Sequence, residues 1–256
     1  MSSCDSLFDD DDGLVVERSA PILSVAASVA PPIPGLYLFR SALPQELQHS
    51  LAAALSSSAW PRDSNQVMLF TSATSPSLPS FLSPLLDLLP SILSPSLPLS
   101  LSDLLFNSRL PRQAILNLYR PGHGISPHVD LPHRYEDGIV GISLSGSAVM
   151  DFTLAERIHS VLLRPGDVYV LSGDARYLWN HGIAYRAEDW VQDEQGGEPF
   201  RLRRRLRMSI TLRRMRTGAD VVGAPGPAVE TAQGMTCGDG ACQDGEKAAG
   251  KLFVLL

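Results

Sequence analysis

Between residues 113 and 213 the chain is cut into short β-rich runs. They lie at 113–119 (QAILNLY), 139–145 (IVGISLS), 148–154 (AVMDFTL), 158–164 (IHSVLLR), 167–172 (DVYVLS) and 207–213 (RMSITLR). Turn formers separate several of them: Pro121-Gly122, Gly146-Ser147 and Arg164-Pro165-Gly166-Asp167. Many short strands joined by tight turns predict a sandwich or barrel-like pair of sheets, for which the jelly roll is one solution. Upstream, Ile33 to Arg40 reads as a Pro-Gly turn feeding a short strand, and Pro44 to Leu55 as a helix with proline at its start. Residues 71–102 are rich in Ser, Pro and Leu, and the repeated prolines exclude a long helix. A short packed helix from Phe81 to Leu89 is still expected. The fold class is therefore mainly β (α+β), with flanking N-terminal helices.

Charge divides the 256 residues into three. Residues 1–20 carry six acids and one base, and residues 218–256 carry five acids and two bases. The net charge of -6 thus resides in the ends, leaving a mildly basic middle. We expect an acidic flexible leader at 1–20, one folded domain at 21–217 and a Gly/Ala-rich flexible tail at 218–256. All three cysteines, Cys4, Cys237 and Cys242, lie in the ends, so no disulfide framework holds the domain. The C-x4-C spacing of the last two has no nearby partner pair and reads as ordinary thiols. The start of the chain is acidic where a signal peptide would be basic and apolar, and no run of about 20 apolar residues is free of Pro or charge. An intracellular protein is expected, cytoplasmic or nuclear, with no membrane segment.

The chemistry-bearing feature is His128-Val129-Asp130, followed downstream by His181. In a strand, an H-x-D pair points both side chains the same way. A histidine from a later strand can complete one face of an octahedron, and two imidazoles with one carboxylate suit Fe(II) with positions left open. The pair alone is weak, since two surface polar residues would look the same. The run from Arg207 to Arg213 adds to it. Period-two spacing puts Arg207, Ser209, Thr211 and Arg213 on one face and Met208, Ile210 and Leu212 on the other. A polar face with an arginine at each end, in an otherwise apolar sheet, is costly unless satisfied, and a dicarboxylate ligand would satisfy it.

Taken with Asn117-x-Tyr119, these motifs make residues 110–216 resemble the AlkB-type Fe(II)- and 2-oxoglutarate-dependent dioxygenases. A weaker similarity extends through Asn65-Gln66-Val67 toward residue 33. The resemblance implies a double-stranded β-helix with iron held by His128, Asp130 and His181. It implies 2-oxoglutarate held at its distal carboxylate by Arg207, helped by Tyr119, Ser209 and Thr211, with Asn117 and Arg213 nearer the metal-bound end. Ser209 stands where the founding bacterial enzyme has asparagine. O2 is the second cosubstrate. Oxidative decarboxylation to succinate and carbon dioxide would be coupled to hydroxylation of a substrate C–H, and an N-methyl would leave as formaldehyde.

The stretches around Asp130 to Val140 and Arg176 to Ile183 are similar to the eukaryotic branch that modifies the tRNA wobble uridine. That branch usually carries an RNA-recognition module and a methyltransferase domain, for which this sequence has no room, so a methyltransferase would be a separate partner. Leu131-Pro132 replaces the acidic substrate contacts of the founding enzyme, which argues against direct repair of methylated DNA bases. The expectation is a monomeric oxygenase acting on a nucleic acid, RNA or tRNA above all. The rivals are the same chemistry on a methylated protein side chain and a non-catalytic RNA-binding module.

Other residues have plainer readings. His123, His133 and His159 are alternative ligands on paper only. Trp179 reads as core, while Tyr135 and Tyr177 could stack on a flipped base. Asp151 and Glu136 could shape the substrate mouth or orient a ligand histidine. Residues 60–80 fall where the family places a lid. Of eight arginines in 201–216, those other than Arg207 and Arg213 could contact phosphates or merely solvate a strand entry.

Overall fold

The computed structural model describes residues 25–27, 29–57, 65–71, 77–192 and 197–219. The expected leader, nearly all of the expected tail, the cysteines and Trp60 lie outside these. The first half contains β1 (Leu36–Phe39), α1 (Gln45–Ser57), β2 (Gln66–Phe70), a 3-10 turn (Ser80–Leu82), α2 (Ser83–Leu93) and α3 (Leu99–Phe106). Then follow β3 (Arg112–Tyr119), β4 (Ile125–His128), β5 (Tyr135–Ser145), β6 (Ala148–Leu154), β7 (Arg157–Leu163) and β8 (Val168–Leu171). The chain closes with α4 (Gly173–Tyr177), β9 (Asn180–Ile183), β10 (Glu188–Val191), β11 (Phe200–Arg203) and β12 (Arg207–Met215).

The strands form a jelly roll. A six-stranded sheet has the order β1-β8-β5-β12-β3-β2, and a four-stranded sheet the order β4-β9-β6-β7. All their pairings are antiparallel. A separate hairpin, β10-β11, joins the strand β9 of one sheet to β12 of the other. The segment 66–70, expected within a lid, is instead an edge strand paired with β3.

Two large cores hold the sheets, and a smaller cluster of Ala26, Val149, Leu162 and Val191 packs β10 against β6 and β7. Met208, Ile210 and Leu212 of β12 face a leucine layer with Leu51 and Leu55 of α1, Leu85, Leu89 and Leu93 of α2, and Leu101 and Leu105 of α3. The helix expected to stop at Leu89 runs on through Pro90 to Leu93. An interior proline costs a helix roughly 3 kcal/mol. Leu85, Leu89 and Leu93 recur on one face at i, i+4 and i+8, all at most 2% exposed. Their burial contributes about 1.5–3 kcal/mol each, enough to carry the helix past the break. The second core lies between the sheets, around Ile139, Phe152, Val161, Leu163, Leu171 and Trp179.

Candidate metal and cosubstrate site

At the edge of the inter-sheet core, β4 and β9 run side by side with His128 opposite His181. Their backbones touch closely. A Cβ on Gly124 would stand 2.1 Å from the carbonyl oxygen of Ile183, and one on Gly182 would stand 2.9 Å from that of Ile125. Glycine at both positions is what lets the two histidine-bearing strands meet. Asp130 lies two residues past the end of β4 rather than within it, so strand alternation does not place its carboxylate. A buried arginine does. Arg176, 1% exposed at the end of α4, donates to the carbonyl oxygens of Asp130 at 2.6 Å and Leu131 at 3.3 Å. It fixes the backbone of the turn that presents Asp130.

The three side chains converge, with one donor atom of each within 4.8 Å of the others. The histidine ring centroids are 4.5 Å apart. Nδ1 of His128 is 2.9 Å from the carbonyl oxygen of Ser126, an arrangement that makes Nδ1 the protonated nitrogen and leaves Nε2 free as a ligand. Burial lowers the His181 pKa to about 4, against the opposing pull of Asp130. Its imidazole is therefore neutral near pH 7, the form that binds metals, and its 3.9 Å approach to Asp130 is not an ion pair. Arg213 grips Oδ1 of Asp130 at 2.5 Å. Oδ2 of Asp130, 3.9 Å from Nε2 of His181, is buried with no hydrogen-bond partner among the described residues. An unpaired acceptor of this kind is costly in a dry site, and a cation between it and the imidazole removes the cost. Two imidazoles and one carboxylate held by a single oxygen fit Fe(II).

Beside the cluster is a cavity of about 470 Å3, counting its open mouth. Asn117, Tyr119, Arg207, Ser209, Thr211 and Arg213 all line it, as the alternation of the paired strands β3 and β12 requires. Arg207 is 4% exposed and has no carboxylate partner among the described residues. It donates to the hydroxyls of Ser209 at 3.0 Å and Ser143 at 3.3 Å, and its Nε–H is unpaired. Its guanidinium lies 5.6 Å from the Tyr119 ring centre. Asn117 accepts from Gln66 at 2.9 Å and sits 3.5 Å from the Thr211 hydroxyl. The cavity thus ends in a buried, uncompensated positive charge wrapped in hydroxyls.

Ser143, Gln66, Tyr169 and Arg176 were not singled out for the site from the sequence. Tyr169 is a wall of the cavity, and burial raises its phenol pKa to about 12, so it stays a neutral donor. It fits only because residue 141 is glycine: a Cβ there would fall 2.0 Å from the tyrosine Cζ. Gly141→Ala is therefore expected to displace the ring and cost about 1–3 kcal/mol of stability, measured by urea denaturation.

The remaining candidates lie elsewhere. His123 is 3.1 Å from the Asn65 amide, and His159 stacks on the buried Trp179. Asp151 accepts from Ser160 and Glu136 is 3.8 Å from Arg216, so neither orients a ligand histidine. Tyr135 is buried beneath Arg213 and cannot stack on a base, whereas Tyr177 is 38% exposed. Arg204 and Arg214 are buried in protein contacts, which removes them from the arginines available to phosphate.

The sequence matches the 2OG-Fe(II) oxygenase superfamily over residues 41–213. The chain belongs to that superfamily. The family's cofactors are Fe(II), 2-oxoglutarate and O2. A relative in Xenopus tropicalis, tRNA (carboxymethyluridine(34)-5-O)-methyltransferase alkbh8, is 38% identical over 117 residues, 41% of this chain and 19% of that protein. The Alkylated DNA repair protein ALKBH8 homolog of Arabidopsis thaliana is 33% identical over 161 residues, 54% of this chain and 42% of that one. The chain thus spans less than half the length of either relative. Among solved structures, a Pseudomonas putida prolyl-4-hydroxylase aligns with a TM-score of 0.46 at 16% identity, covering 72% of this chain and 94% of that one.

Proposed function

We propose that this protein is an Fe(II)- and 2-oxoglutarate-dependent oxygenase that hydroxylates or oxidatively demethylates a nucleic acid, RNA or tRNA bases above all. The observation that carries the reading is the pairing of the buried His128-Asp130-His181 cluster with a cavity that ends in the uncompensated Arg207. The relatives' names, one a tRNA modification enzyme and one an alkylated-DNA repair protein, support a nucleic acid as the substrate class.

In this reading iron bound with 2-oxoglutarate and O2 supplies the oxidising power for a C–H bond. The chain's own groups do the positioning. His128 offers Nε2 because Ser126 occupies its other nitrogen. Arg213 holds one Asp130 oxygen so that the other faces the histidines, and Arg176 keeps that turn in place. Arg207 binds the far carboxylate of the cosubstrate, oriented by Ser143 and Ser209. Tyr169 and the apolar walls Ile139, Met150 and Ile183 keep the cavity dry, which strengthens the charge interactions inside it.

Arg207→Ala removes charge-assisted hydrogen bonds worth about 1.5–3 kcal/mol each, so KM for 2-oxoglutarate is expected to rise roughly 10- to 100-fold. Succinate release at varied 2-oxoglutarate measures it. The reading itself is tested anaerobically: Fe(II) then 2-oxoglutarate should give a visible charge-transfer band, and its absence from folded protein sinks the oxygenase assignment. Succinate release is then compared for modified oligoribonucleotides, methylated DNA and methylated peptides. Stimulation by peptide alone would reassign the substrate.

A further inference from the structure

The chain between His181 and Arg207 leaves one wall of the cavity at Ile183 and re-enters another at Arg207, passing through the hairpin β10-β11. The root of that hairpin is fixed. Asp189 is 1% exposed and accepts from Arg186 at 2.7 Å, from Arg204 at 2.6 and 2.8 Å, and from the backbone N–H of Val149 on β6 at 3.2 Å. Arg204 also donates to the carbonyl of Ala184 at 2.6 Å. With Arg204 turned inward, its neighbours Arg203 and Arg205 are exposed. The last pair of the β3–β12 ladder is Tyr119 with Arg207, so Arg120 emerges at the same end of the sheet, also exposed. None of these three arginines has a salt bridge or side-chain hydrogen bond among the described residues, whereas Arg201 is tied to Glu188. Tyr185, 66% exposed, stands beside this root and close enough to Tyr119 for the two phenols to feel one another electrostatically.

We infer that Arg120, Arg203, Arg205 and Tyr185 form a rim that takes the sugar-phosphate backbone and one unstacked base of a single-stranded RNA segment. The inference rests on the nucleic-acid reading above and adds where the polymer lies. Three free guanidiniums suit phosphates. An exposed ring among them offers a stacking face to an unpaired base of the same segment. The hairpin's nearby acids do not cancel this charge, because Asp189 and Glu188 are already engaged with Arg186, Arg204 and Arg201.

The test is fluorescence anisotropy of a labelled single-stranded oligoribonucleotide with the full chain across a potassium chloride series. Each phosphate contact adds about 0.7 to the slope of log K against log salt. The combined variant Arg120→Gln/Arg203→Gln/Arg205→Gln should bind at least about tenfold more weakly, with a slope shallower by roughly 2. Tyr185→Ala should weaken binding about 5- to 100-fold with little change of slope. Arg109→Gln removes an exposed arginine at the opposite end of β3, roughly 20 Å away, and should change neither. The rim is overturned if the triple variant keeps the wild-type slope, if Arg109→Gln lowers it equally, or if an acidic peptide of equal charge competes as well as RNA. An unchanged triple variant in a protein that still releases succinate with a modified RNA refutes the rim alone. Absence of succinate release with every RNA refutes the reading beneath it.

Discussion

His128→Ala is expected to abolish both the anaerobic charge-transfer band and succinate release while leaving the protein folded. The substitution removes one of three donors from a site whose other two are buried. Losing only an outer partner of a metal ligand typically costs 10- to 100-fold in affinity or activity, and losing the ligand itself should cost more. The histidine is half-buried at a strand end and contributes little to either hydrophobic core. Its removal should therefore shift the thermal midpoint of the metal-free protein by only a few degrees. A band of wild-type intensity in the variant would mean that the cluster is not the metal site. Circular dichroism melts run alongside separate loss of the site from loss of the fold.

Asp189→Ala is expected to produce the largest loss of stability outside the hydrophobic cores, about 3–5 kcal/mol by urea denaturation. It strips the counter-charge from Arg204, which is 5% exposed and cannot reach water without moving the hairpin. It also leaves the Val149 N–H without its acceptor. Burial alone would raise the Asp189 pKa, but hydrogen bonds and charge from Arg204 and Arg186 prevail and hold it below its ordinary value. The carboxylate is therefore more acidic folded than unfolded. Its contribution is present above the ordinary carboxylate pKa and is lost as pH falls through the lower folded value. A variant as stable as wild type would show that the two arginines find other partners.

The parts of the site carried by local periodicity could be read from the sequence. The inward polar face of β12 follows from alternation alone, and the antiparallel strands from turn chemistry. The helix break expected before Pro90 failed because a local rule worth about 3 kcal/mol lost to three buried leucines that only the tertiary structure brings together. Asp130 was found by spacing, yet its position comes from Arg176, a residue whose partners are backbone carbonyls 46 and 45 positions away. Such acceptors are present in every peptide unit, so they leave no mark in the sequence. Gly141 and Tyr169 form a matched pair for the same reason: each looks ordinary until β5 and β8 are side by side. The hairpin β10-β11 was missed because its alternation is short and its inward-facing polar residue, Asp189, reads as solvent-facing.

That clamp has a consequence for how such an enzyme can diversify. The covalent path from His181 to Arg207 is pinned near its base by a single carboxylate, so changes beyond the pin need not reach the cavity. Lengthening a loop costs little, on the order of 0.6 kcal/mol per doubling. Segments grafted between Val191 and Phe200 could therefore alter what the protein grasps while His181 and Arg207 keep their places. Selectivity can thus evolve, or be engineered, on a handle that is mechanically insulated from the chemistry.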